Sequence, residues 1–471
     1  WGYYIDVTSL YPTINKYGFY PVGHPIIYRK SDIQWCYGNT LHNPCNVVGP
    51  DGTQSCLKGV IRCRVLAPRN LQIPVLPTEV TPELKSVDEK TGKETTSKGA
   101  SKLIMALCGE CARTGNAQSC GHTDEERSFV GAWTHFELLK AESLGYQIVD
   151  ILEVRHFDNW IQGPFKSYVN KFIKIKTENG VKNMSHDECV ELIQGFAEKE
   201  DVHLDYNNLC DNPGAKAVAK LMLNSLWGKF GMRTSFPNTV YVSEPYEMQR
   251  LFDDQTNKKI TITSIEPVGE DENEMFAVTY TTNESVNKEA KTSNIYAAIF
   301  TTSQARLKLY EALEAIGPER VVYCDTDSVI FVADNDFDHG LPISEYLGEF
   351  KDELEGGRIV DVACAGPKSY SYTYITKTGE LKSCMKMKGF TLNHANSQLI
   401  TADVLREIIS NRDDNTKNFV DLPNQFNIAR TSDHRVYTEY TSKRYSFECD
   451  KRITIDDGLT YPYGMVYSAA G

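Results

Sequence analysis

The chain has 471 residues, of which 41% are hydrophobic and 24% are charged, and its formal net charge is −13. A single hydrophobic core stops growing near about 250–300 residues, so this length predicts two to four modules. The negative charge excludes indiscriminate nucleic-acid binding over the whole surface, and no apolar run approaches the roughly 18 residues of a membrane helix.

The cysteine content indicates the compartment. Thirteen cysteines, an odd number, without a secretory signal fit a reducing intracellular compartment better than a disulfide framework. The sequence begins at Trp1 with neither an initiator Met nor a signal peptide, so we expect a fragment or a processed product.

Positive charge is concentrated in two windows. Residues 210–233 contain four Lys or Arg against one acidic residue, and residues 366–390 contain five Lys against one acidic residue. The simplest interpretation of such a cluster is a solvated face. A chain of this net charge that handles a polyanion would also have to concentrate its cations in this way.

The first elements predicted along the chain are short strands. Residues 2–12 alternate aromatic and aliphatic side chains before a turn, as in a buried strand. Residues 21–80 are rich in Pro, Gly and β-branched residues and predict short strands and loops. The polar run 85–102 predicts an exposed loop or a disordered tip.

Helices are expected further along. Residues 133–144 predict an amphipathic helix, and residues 146–157 predict the strand that follows it. A second helix is expected from Asn212 to about residue 228, because Asn is a good N-cap and Pro213 suits the first helical position.

The next segments alternate strands and a long helix. Residues 232–290 are strand-like and contain an acidic turn at 269–274. Residues 294–316 predict a long helix, and residues 320–332 predict a strand, a tight turn and a second strand.

Three separated segments carry the chemistry: 6–12 (DVTSLYP), 220–228 (KLMLNSLWG) and 323–328 (YCDTDS). Asp6 ends a predicted strand, and Asp325 and Asp327 lie in a turn between apolar strands. Mg²⁺ prefers few carboxylates, and two ions about 3.5–4 Å apart can serve nucleotidyl transfer. We therefore predict Asp6 and Asp327 as metal ligands and Asp325 as support. Asp is also common in hairpin turns, but two unpaired carboxylates between apolar strands would be costly without a cation.

Two further features are suited to a nucleotide. Lys216, Lys220 and Asn224 are spaced by four and share one helical face, where cations can stabilise a triphosphate. The alternative is a solvated helical face. Tyr11 is close enough to Asp6 for its ring to lie under an incoming sugar and exclude a 2′-hydroxyl, or else it is a core tyrosine.

These segments, in this order, resemble motifs A, B and C of the family B DNA polymerases. Residues 366–370 (GPKSY) resemble the family's Lys-x-Tyr motif, and 386–389 (KMKG) resemble its Lys-rich motif. The helix predicted at 294–316 is similar to the one that precedes motif C, and residues 461–464 resemble the usual family ending. Five ordered motifs make a far more specific match than any one alone.

The resemblance implies a site and its partners. Asp6, the Val7 carbonyl and Asp327 would hold two Mg²⁺ ions. Template–primer DNA and deoxynucleotides would be the substrates. The residues expected to contact the nucleotide are Ser9, Leu10, Tyr11, Lys216, Lys220 and Asn224. The residues expected to contact the primer are Tyr323, Thr326, Ser328, Lys368, Tyr370, Lys386 and Lys388.

The resemblance also implies an α+β right-hand polymerase fold with an antiparallel palm sheet, helical fingers, a thumb and two insertions. The expected boundaries are palm 1–20, first insertion 21–195 with a Cys-rich segment 108–122, fingers 196–231, second insertion 232–293, palm 294–390 and thumb 391–471.

Spacing indicates the subfamily. About 200 residues separate Pro12 from Lys220, and about 90 separate Gly228 from Tyr323. Long insertions at these places resemble those of protein-primed polymerases of viruses, linear plasmids and self-synthesising transposons. We therefore expect a priming terminal protein as a partner at the first insertion, and a role in processivity and strand displacement for the second. The expected setting is the host cell of such an element.

Two departures from the family pattern stand out. Trp227 occupies a position where the family usually has Tyr, which puts the fit of the fingers to the nascent base pair in doubt. Only five residues precede Asp6, so we expect no 3′–5′ exonuclease activity in this chain.

A second metal site is predicted from Cys108, Cys111, Cys120 and His122. These four residues lie within fifteen positions and offer the ligands that tetrahedral structural zinc prefers. The alternative is a set of scattered reduced thiols. The spacing is not that of a standard DNA-reading finger.

Two rival functions are retained. One is a catalytically inactive, polymerase-derived DNA-binding protein, against which the retained carboxylates argue. The other is an RNA-synthesising or reverse-transcribing palm enzyme, against which Tyr11 and the Asp-Thr-Asp spacing argue.

Overall fold

The computed structural model describes residues 1–33, 35, 38–41, 57–87, 94–233, 236–268, 275–283, 293–334, 337–390, 392–414, 416–431, 435–455 and 459–467. The chain divides into two compact units. Unit 1 contains Trp1–Trp227, Tyr296–Phe390 and Glu448–Gly471, and unit 2 contains Gly228–Ile295 and Thr391–Phe447. None of the described helices is both long and apolar enough to cross a membrane.

The α-helices of the described residues, α1 to α11 in chain order, are Leu10–Tyr17, Gly109–Thr114, Asp124–Arg127, His135–Ser143, Lys166–Glu178, His186–Glu200, Pro213–Phe230, Pro245–Thr256, Ile295–Ile316, His394–Leu399 and Ala402–Ser410. The strands, β1 to β24 in chain order, are Gly2–Val7, Phe19–Val22, Ile26–Arg29, Gly59–Leu66, Pro77–Val80, Glu83–Val87, Glu94–Lys98, Lys102–Met105, Phe129–Thr134, Gln147–His156, Asn159–Gln162, Asn238–Val242, Ile260–Val268, Met275–Thr282, Val321–Asp325, Ser328–Val332, Phe350–Asp352, Arg358–Gly366, Ser369–Ile375, Leu381–Lys386, Phe419–Arg430, Val436–Ser446, Ile453–Thr454 and Thr460–Tyr461.

A seven-stranded antiparallel sheet is the central element of unit 1. Its order is β15-β16-β1-β18-β19-β20, and β17 also pairs with β1. Gly2 is required where β1 meets β18, because a Cβ there would lie 2.7 Å from the Cβ of Ile359. Aromatic and branched side chains, among them Tyr4, Ile330 and Tyr370, pack together on this sheet. The predicted strand at 2–12 and the strand–turn–strand at 320–332 are confirmed as β1 and the β15–β16 hairpin.

A second sheet in unit 1, with order β3-β10-β4-β9, packs against helix α4 and part of α9. Trp133 lies in its core, and its indole N–H donates to the Pro77 carbonyl at 2.7 Å. The predicted strand at 146–157 is confirmed as β10, and the long helix at 294–316 is confirmed as α9.

Two predictions in this region were wrong in detail. The helix expected from residue 133 begins at His135, because Trp133 and Thr134 belong to β9 and the Thr134 hydroxyl caps the helix by accepting from the Glu137 N–H. The polar run 85–102 was expected to be an exposed loop or a disordered tip, but β6 pairs with β7, and β8 begins at Lys102. Residues 88–93 of the run lie outside the described residues. Thr95 and Thr96 lie on β7, and β-branched residues suit strands even in a polar run.

Helices α5, α6 and α7 of unit 1 share a core that includes Ile173, Phe196 and Leu223. The predicted helix from Asn212 is confirmed as α7, since the Asn212 side chain accepts from the Ala215 N–H at 3.1 Å. Helices α1, α5 and α6 were not predicted from the sequence.

Unit 2 contains the three-stranded sheet β12-β14-β13 with helix α8, and the hairpin β21–β22 with helix α11. The strands expected over 232–290 are present, but α8 interrupts them. Pro245 at its first turn and the periodic Met248 and Leu251 mark this helix. The acidic turn at 269–274 lies outside the described residues. The thumb was expected to span residues 391–471, but residues 448–471 belong to unit 1 and only residues 391–447 belong to unit 2.

Candidate active site

The carboxylates singled out in the sequence meet at one edge of the central sheet. Asp6 on β1 lies opposite Ser328 on β16, which itself lies opposite Asp325 on β15. The Val7 N–H donates to the Asp327 carbonyl at 2.7 Å, and this bond ties β1 to the hairpin turn. Residues more than 300 positions apart are therefore joined by backbone pairing.

A cavity of about 370 Å³ opens between these strands. It is lined by carboxylates, cations and tyrosines, namely Tyr4, Asp6, Asp325, Thr326, Asp327, Ser328, Lys368, Tyr370 and Lys386. Eight of these nine were predicted site residues, and Tyr4 was not. A pocket that combines several carboxylates with two lysines is suited to a cation and a phosphate ester rather than to an apolar ligand.

Burial, and then neighbouring carboxylates, raise the pKa of both predicted metal-binding carboxyls. Burial raises the pKa of Asp6 from 3.8 to about 7, and the neighbouring Asp327 and Glu353 add to the rise. Burial also raises the pKa of Asp327, with a further contribution from Asp325. Both half-buried carboxyls are hard to ionise without a counter-charge. A bound cation would stabilise their ionised forms, so the pair is suited to a cation site.

Asp325 has a partner of its own. Its Oδ2 lies 2.5 Å from the Lys368 Nζ, and its Oδ1 accepts from the Thr326 hydroxyl at 3.1 Å. Strand β15 is also only partly buried, with Val322 exposed. The expectation of two unpaired carboxylates between fully apolar strands was therefore wrong for Asp325.

The residues predicted for the primer form a connected network beside the cavity. The Lys368 N–H donates to the Tyr323 hydroxyl at 2.9 Å, and the Tyr323 and Tyr370 rings lie 4.8 Å apart. Lys386 lies opposite Tyr370 on the neighbouring strand. Lys388 is outside the cavity lining; its N–H donates to the Ser369 hydroxyl at 3.2 Å, and its exposed Nζ is 3.7 Å from Glu448.

The turn after β1 presents the predicted nucleotide residues. Ser9 is in the left-handed conformation, with φ of 54°, and its hydroxyl accepts from Lys176 at 3.2 Å. Leu10 is buried, so only its backbone can face a ligand. The Tyr11 ring stacks on Trp227 of α7 with centroids 4.7 Å apart and planes 13° apart.

A group of lysines lies near this turn. Burial lowers the pKa of Lys176, and nearby Lys220 and Lys216 lower it further. Lys216, Lys220 and Asn224 are exposed on α7. The positive charge of Lys220 partly offsets the rise in the pKa of Asp6. The cations therefore converge from two helices towards the carboxylate edge of the sheet.

Sequence reasoning missed Lys176 and Glu353. Lys176 is one of several lysines on amphipathic α5, and only its packing against α1 and α7 distinguishes it. Glu353 follows β17, and its N–H donates to the Tyr4 carbonyl at 3.0 Å. No local motif marks either residue.

The four predicted ligands of the second metal site come together. The His122 Nδ1 lies 3.5, 3.2 and 3.6 Å from the sulfurs of Cys108, Cys111 and Cys120. Sulfur and nitrogen ligands of one tetrahedral zinc, at about 2.3 and 2.1 Å from the ion, are about 3.6 Å apart. All four ligand atoms lie within 4.8 Å of one another, so the group is a possible metal site.

Local structure fixes this cluster. Cys108 caps α2, with its sulfur accepting from the Cys111 N–H at 3.3 Å, and Gly115 ends that helix in the left-handed conformation. The hydrogen bond between the Cys108 and Cys111 side chains lowers the pKa of the Cys108 thiol and raises the pKa of the Cys111 thiol, so the two sulfurs share one proton. The three cysteines are buried and His122 is half-buried.

The chain matches one protein-family model and is similar in fold to solved polymerase structures. The family model for DNA polymerase type B, organellar and viral, matches residues 2–190 and 204–317, well over half of the chain. Phi29 DNA polymerase complexed with primer-template DNA, a post-translocation binary complex, has a similar fold at TM-score 0.51 and 15% identity. The orthorhombic crystal form of Phi29 DNA polymerase gives TM-score 0.50 and 14% identity. Each match covers 95% of this chain but 58% of the Phi29 chain. Curated protein sequences give no match.

Proposed function

The chain belongs to the type B DNA polymerases of organelles and viruses, and from this premise we propose that it is a template-directed DNA polymerase that adds deoxynucleotides to a primer 3′-hydroxyl. The observation that carries the proposal is the cavity lined by Asp6 of β1, by Asp327 of the β15–β16 turn and by two lysines, Lys368 and Lys386. The fold similarity to Phi29 DNA polymerase supports the same reading.

The carboxylate edge would hold two Mg²⁺ ions. Asp6, Asp327 and the Val7 carbonyl would hold them, and the raised pKa of both carboxyls is a penalty that bound cations remove. When bound, the ions would supply charge stabilisation for the attacking hydroxyl and the leaving pyrophosphate.

The lysines would serve the triphosphate. Lys220 and Lys216 lie on the exposed face of α7 with Asn224 one turn on, and Lys176 approaches from α5. A partly desolvated cluster of cations stabilises phosphate charge more strongly than solvated side chains do. Ser9 and the Leu10 backbone would contact the phosphates at the start of α1.

Tyr11 would select the sugar. Its ring is held flat against Trp227, so it cannot swing away easily from a nucleotide that carries a 2′-hydroxyl. Stacking of this kind contributes about 0.5–1.5 kcal/mol beyond the buried area. Trp227, the departure from the family pattern, would thus hold the sugar-selecting residue.

The primer strand would lie beside the Asp325–Lys368 pair. The network of Tyr323, Tyr370, Lys386 and Lys388 carries hydroxyls and cations suited to phosphates, with Thr326 and Ser328 at the hairpin turn. Such contacts position the backbone without reading sequence.

The remaining assignments follow from the family and the right-hand fold. The central sheet would be the palm, the helices of 196–231 the fingers and 391–447 the thumb. We propose protein-primed replication of a viral or mobile-element genome inside its host cell, with a terminal protein docked on residues 21–195. Residues 232–293 would support processivity and strand displacement, and a deletion of 236–290 that leaves both intact would contradict this role.

Primer extension tests the proposal. With Mg²⁺ and a DNA template, the chain should extend a labelled primer with deoxynucleotides and not with ribonucleotides. Asp327→Asn should abolish extension. The control Asp338→Asn should keep it, because Asp338 is exposed and its one described contact, from the Gly340 N–H, suits Asn equally.

Other outcomes separate the rivals. Extension with ribonucleotides would favour an RNA-synthesising palm enzyme. Template–primer binding without extension by the parent chain, in the presence of a terminal protein and Mg²⁺, would favour the DNA-binding protein without catalysis.

Lys176 has its own test. Lys176→Gln should raise the KM for deoxynucleotides by about tenfold, since charge-assisted hydrogen bonds contribute about 1.5–3 kcal/mol. Lys174→Gln is the matched control, because Lys174 lies on the same helix but pairs with Glu178 at 3.6 Å. An equal effect of both substitutions would contradict a role for Lys176 in nucleotide binding.

We also propose that Cys108, Cys111, Cys120 and His122 bind structural zinc. The matched ligand distances support it, and all four positions are protein ligands, so the site would have no open position for chemistry. Metal analysis of the pure protein should find one zinc per chain, lost in Cys111→Ser. A parent chain without zinc would overturn the proposal.

A further inference from the structure

A segment distant in sequence covers the Cys/His cluster. Residues 448–455 and 459–467, here called the strap, belong to unit 1 and run between the Cys/His cluster and the hairpin β18–β19. The strap's regular structure in the described residues is the two-residue pair β23–β24. It therefore depends on the surfaces it contacts for its position.

One end of the strap is built into the cluster. The Leu107 N–H donates to the Tyr463 carbonyl at 2.8 Å, and the Cys120 N–H donates to the Met465 carbonyl at 3.1 Å. Tyr463 also packs against the three cysteines. A Cβ on Gly464 would lie 2.3 Å from the Cβ of Cys108, and Gly464 has φ of +92°.

The same end is fastened beyond the ligands. The Tyr467 hydroxyl donates to the Ala117 carbonyl at 2.8 Å, and the Tyr467 N–H donates to the Ser119 hydroxyl at 3.1 Å. Both acceptors lie in the loop between Cys111 and Cys120. The loop that carries the cluster and the strap are therefore one hydrogen-bonded unit.

The middle of the strap contains a partly buried arginine. Arg452 donates to the Gln72 carbonyl at 3.2 Å and to the Thr460 carbonyl at 2.8 Å. These bonds fasten the strap to the segment before β5 and join its two halves.

The other end of the strap lies on the tip of the β18–β19 hairpin. A Cβ on Gly366 would lie 2.3 Å from the Glu448 carbonyl oxygen, and Gly366 has φ of +143°. Two residues later, Lys368 forms the ion pair with Asp325. The Glu448 carboxylate also lies 3.7 Å from Lys388.

We propose that zinc bound by the Cys/His cluster locks the strap in place, and that the locked strap holds the β18–β19 hairpin tip in position to grip the primer strand. The inference rests on the proposed zinc site and on the proposed polymerase function. The bound metal would therefore affect primer binding from a distance, through the strap. Without zinc, no metal holds the four ligand side chains together. The loop that carries them and the strap bound to that loop should then both become less ordered.

The experiment measures strap order and primer affinity together in the whole chain. Hydrogen exchange follows residues 459–467, and fluorescence anisotropy gives the Kd for template–primer DNA without nucleotide. Zinc is removed with a zinc-selective chelator in the presence of Mg²⁺ and is then restored. We expect faster exchange in the strap, unchanged exchange in β1, and a Kd raised at least about fivefold, the lower range of coupling between sites. Zinc should reverse all changes.

Two variants separate the strap from the metal. Tyr467→Phe should loosen strap docking while zinc stays bound, because the Tyr467 hydroxyl donates to the Ala117 carbonyl and not to a ligand, and it should raise the Kd with zinc present. Tyr206→Phe is the matched control, since it also loses one hydroxyl contact, to His186 at 3.0 Å, outside the strap and the cluster. It should leave strap exchange and Kd unchanged.

Three results would overturn the inference, and they are distinguishable. Zinc removal that leaves strap exchange unchanged refutes the lock. Faster strap exchange without loss of primer affinity refutes the link to the hairpin. A pure protein without zinc, or one that never binds template–primer, refutes the zinc site or the polymerase function on which the inference rests.

Discussion

Replacing Asp6 by Asn should make the metal-free protein more stable at neutral pH, although it removes a predicted metal ligand. Asp6 is half-buried beside Asp327 and Glu353, and its pKa is raised from 3.8 to about 7, first by burial and then by these neighbours. The folded state therefore binds this proton more tightly than the unfolded state does. Stability from this group is complete below about pH 4 and is lost as the pH rises to about 7.

The size of the effect follows from the same values. The difference between 3.8 and about 7 corresponds to about 4 kcal/mol for a fully shielded group. Because the Asp6 carboxyl is still partly exposed, solvent screening reduces this to about 1–2 kcal/mol. Asn has nearly the same shape and does not titrate, so the variant avoids this loss.

Thermal unfolding in EDTA between pH 5 and pH 8 measures the prediction. The melting temperature of Asp6→Asn relative to the parent should increase by a few degrees across this range, since about 1 kcal/mol corresponds to about 2–4 °C for units of 150–250 residues. Glu191→Gln, which removes an exposed acid of α6, should show no such trend. With Mg²⁺ at pH 8 the order should reverse, because the parent gains a ligand that binds its folded state.

Two results would refute the reasoning. If Asp6→Asn and the parent lose stability in parallel from pH 5 to pH 8, the pKa of Asp6 is not raised in the metal-free protein. If Mg²⁺ stabilises both proteins equally, Asp6 is not a ligand.

Two other substitutions probe the packing behind the site. Trp227→Ala should raise the KM for deoxynucleotides by about two- to tenfold, because the ring that stacks on Tyr11 is lost. Trp227→Phe keeps a ring at this position and should have a KM close to that of the parent. Steady-state primer extension measures both KM values. Lys16→Met should destabilise unit 1 by about 3–5 kcal/mol, because Lys16 and Glu200 form a buried ion pair at 2.8 Å and the Glu200 charge would keep only two neutral donors, the Tyr17 hydroxyl and the Leu347 N–H. Urea unfolding measures this, and a loss below 1 kcal/mol would show that Glu200 finds other compensation.

The order of motifs in the sequence predicted the elements of the central sheet that carry the site. Asp6 at a strand end and the Asp-Thr-Asp turn between two strands are local patterns, and both were found where expected. Their meeting depends on the pairing of β1 with β16, which no local pattern specifies. The resemblance to a family implied that Asp6 and Asp327 share one site, but not which strands pair.

Features that depend on tertiary packing could not be predicted from the sequence. Lys176 and the buried pair of Lys16 with Glu200 lie on helices α5, α1 and α6, whose neighbours are known only once the chain is folded. The contact of Gly464 with Cys108 joins residues over 350 positions apart. Composition and spacing predicted that Cys108, Cys111, Cys120 and His122 come together, but not the segment that covers them.

Backbone strain at the site explains why its fine geometry could not be predicted. Among the described residues, Ser9, Thr326 and Lys368 have positive φ of 54°, 58° and 59°, and each lies in a turn at the predicted motifs. Their residue types do not favour this conformation, which costs about 1–2 kcal/mol each for L-residues. The surrounding contacts must therefore impose it: Lys176 on the Ser9 hydroxyl, and Asp325 on both the Thr326 hydroxyl and the Lys368 ammonium. A position that packing forces against its local preference leaves no trace in the sequence.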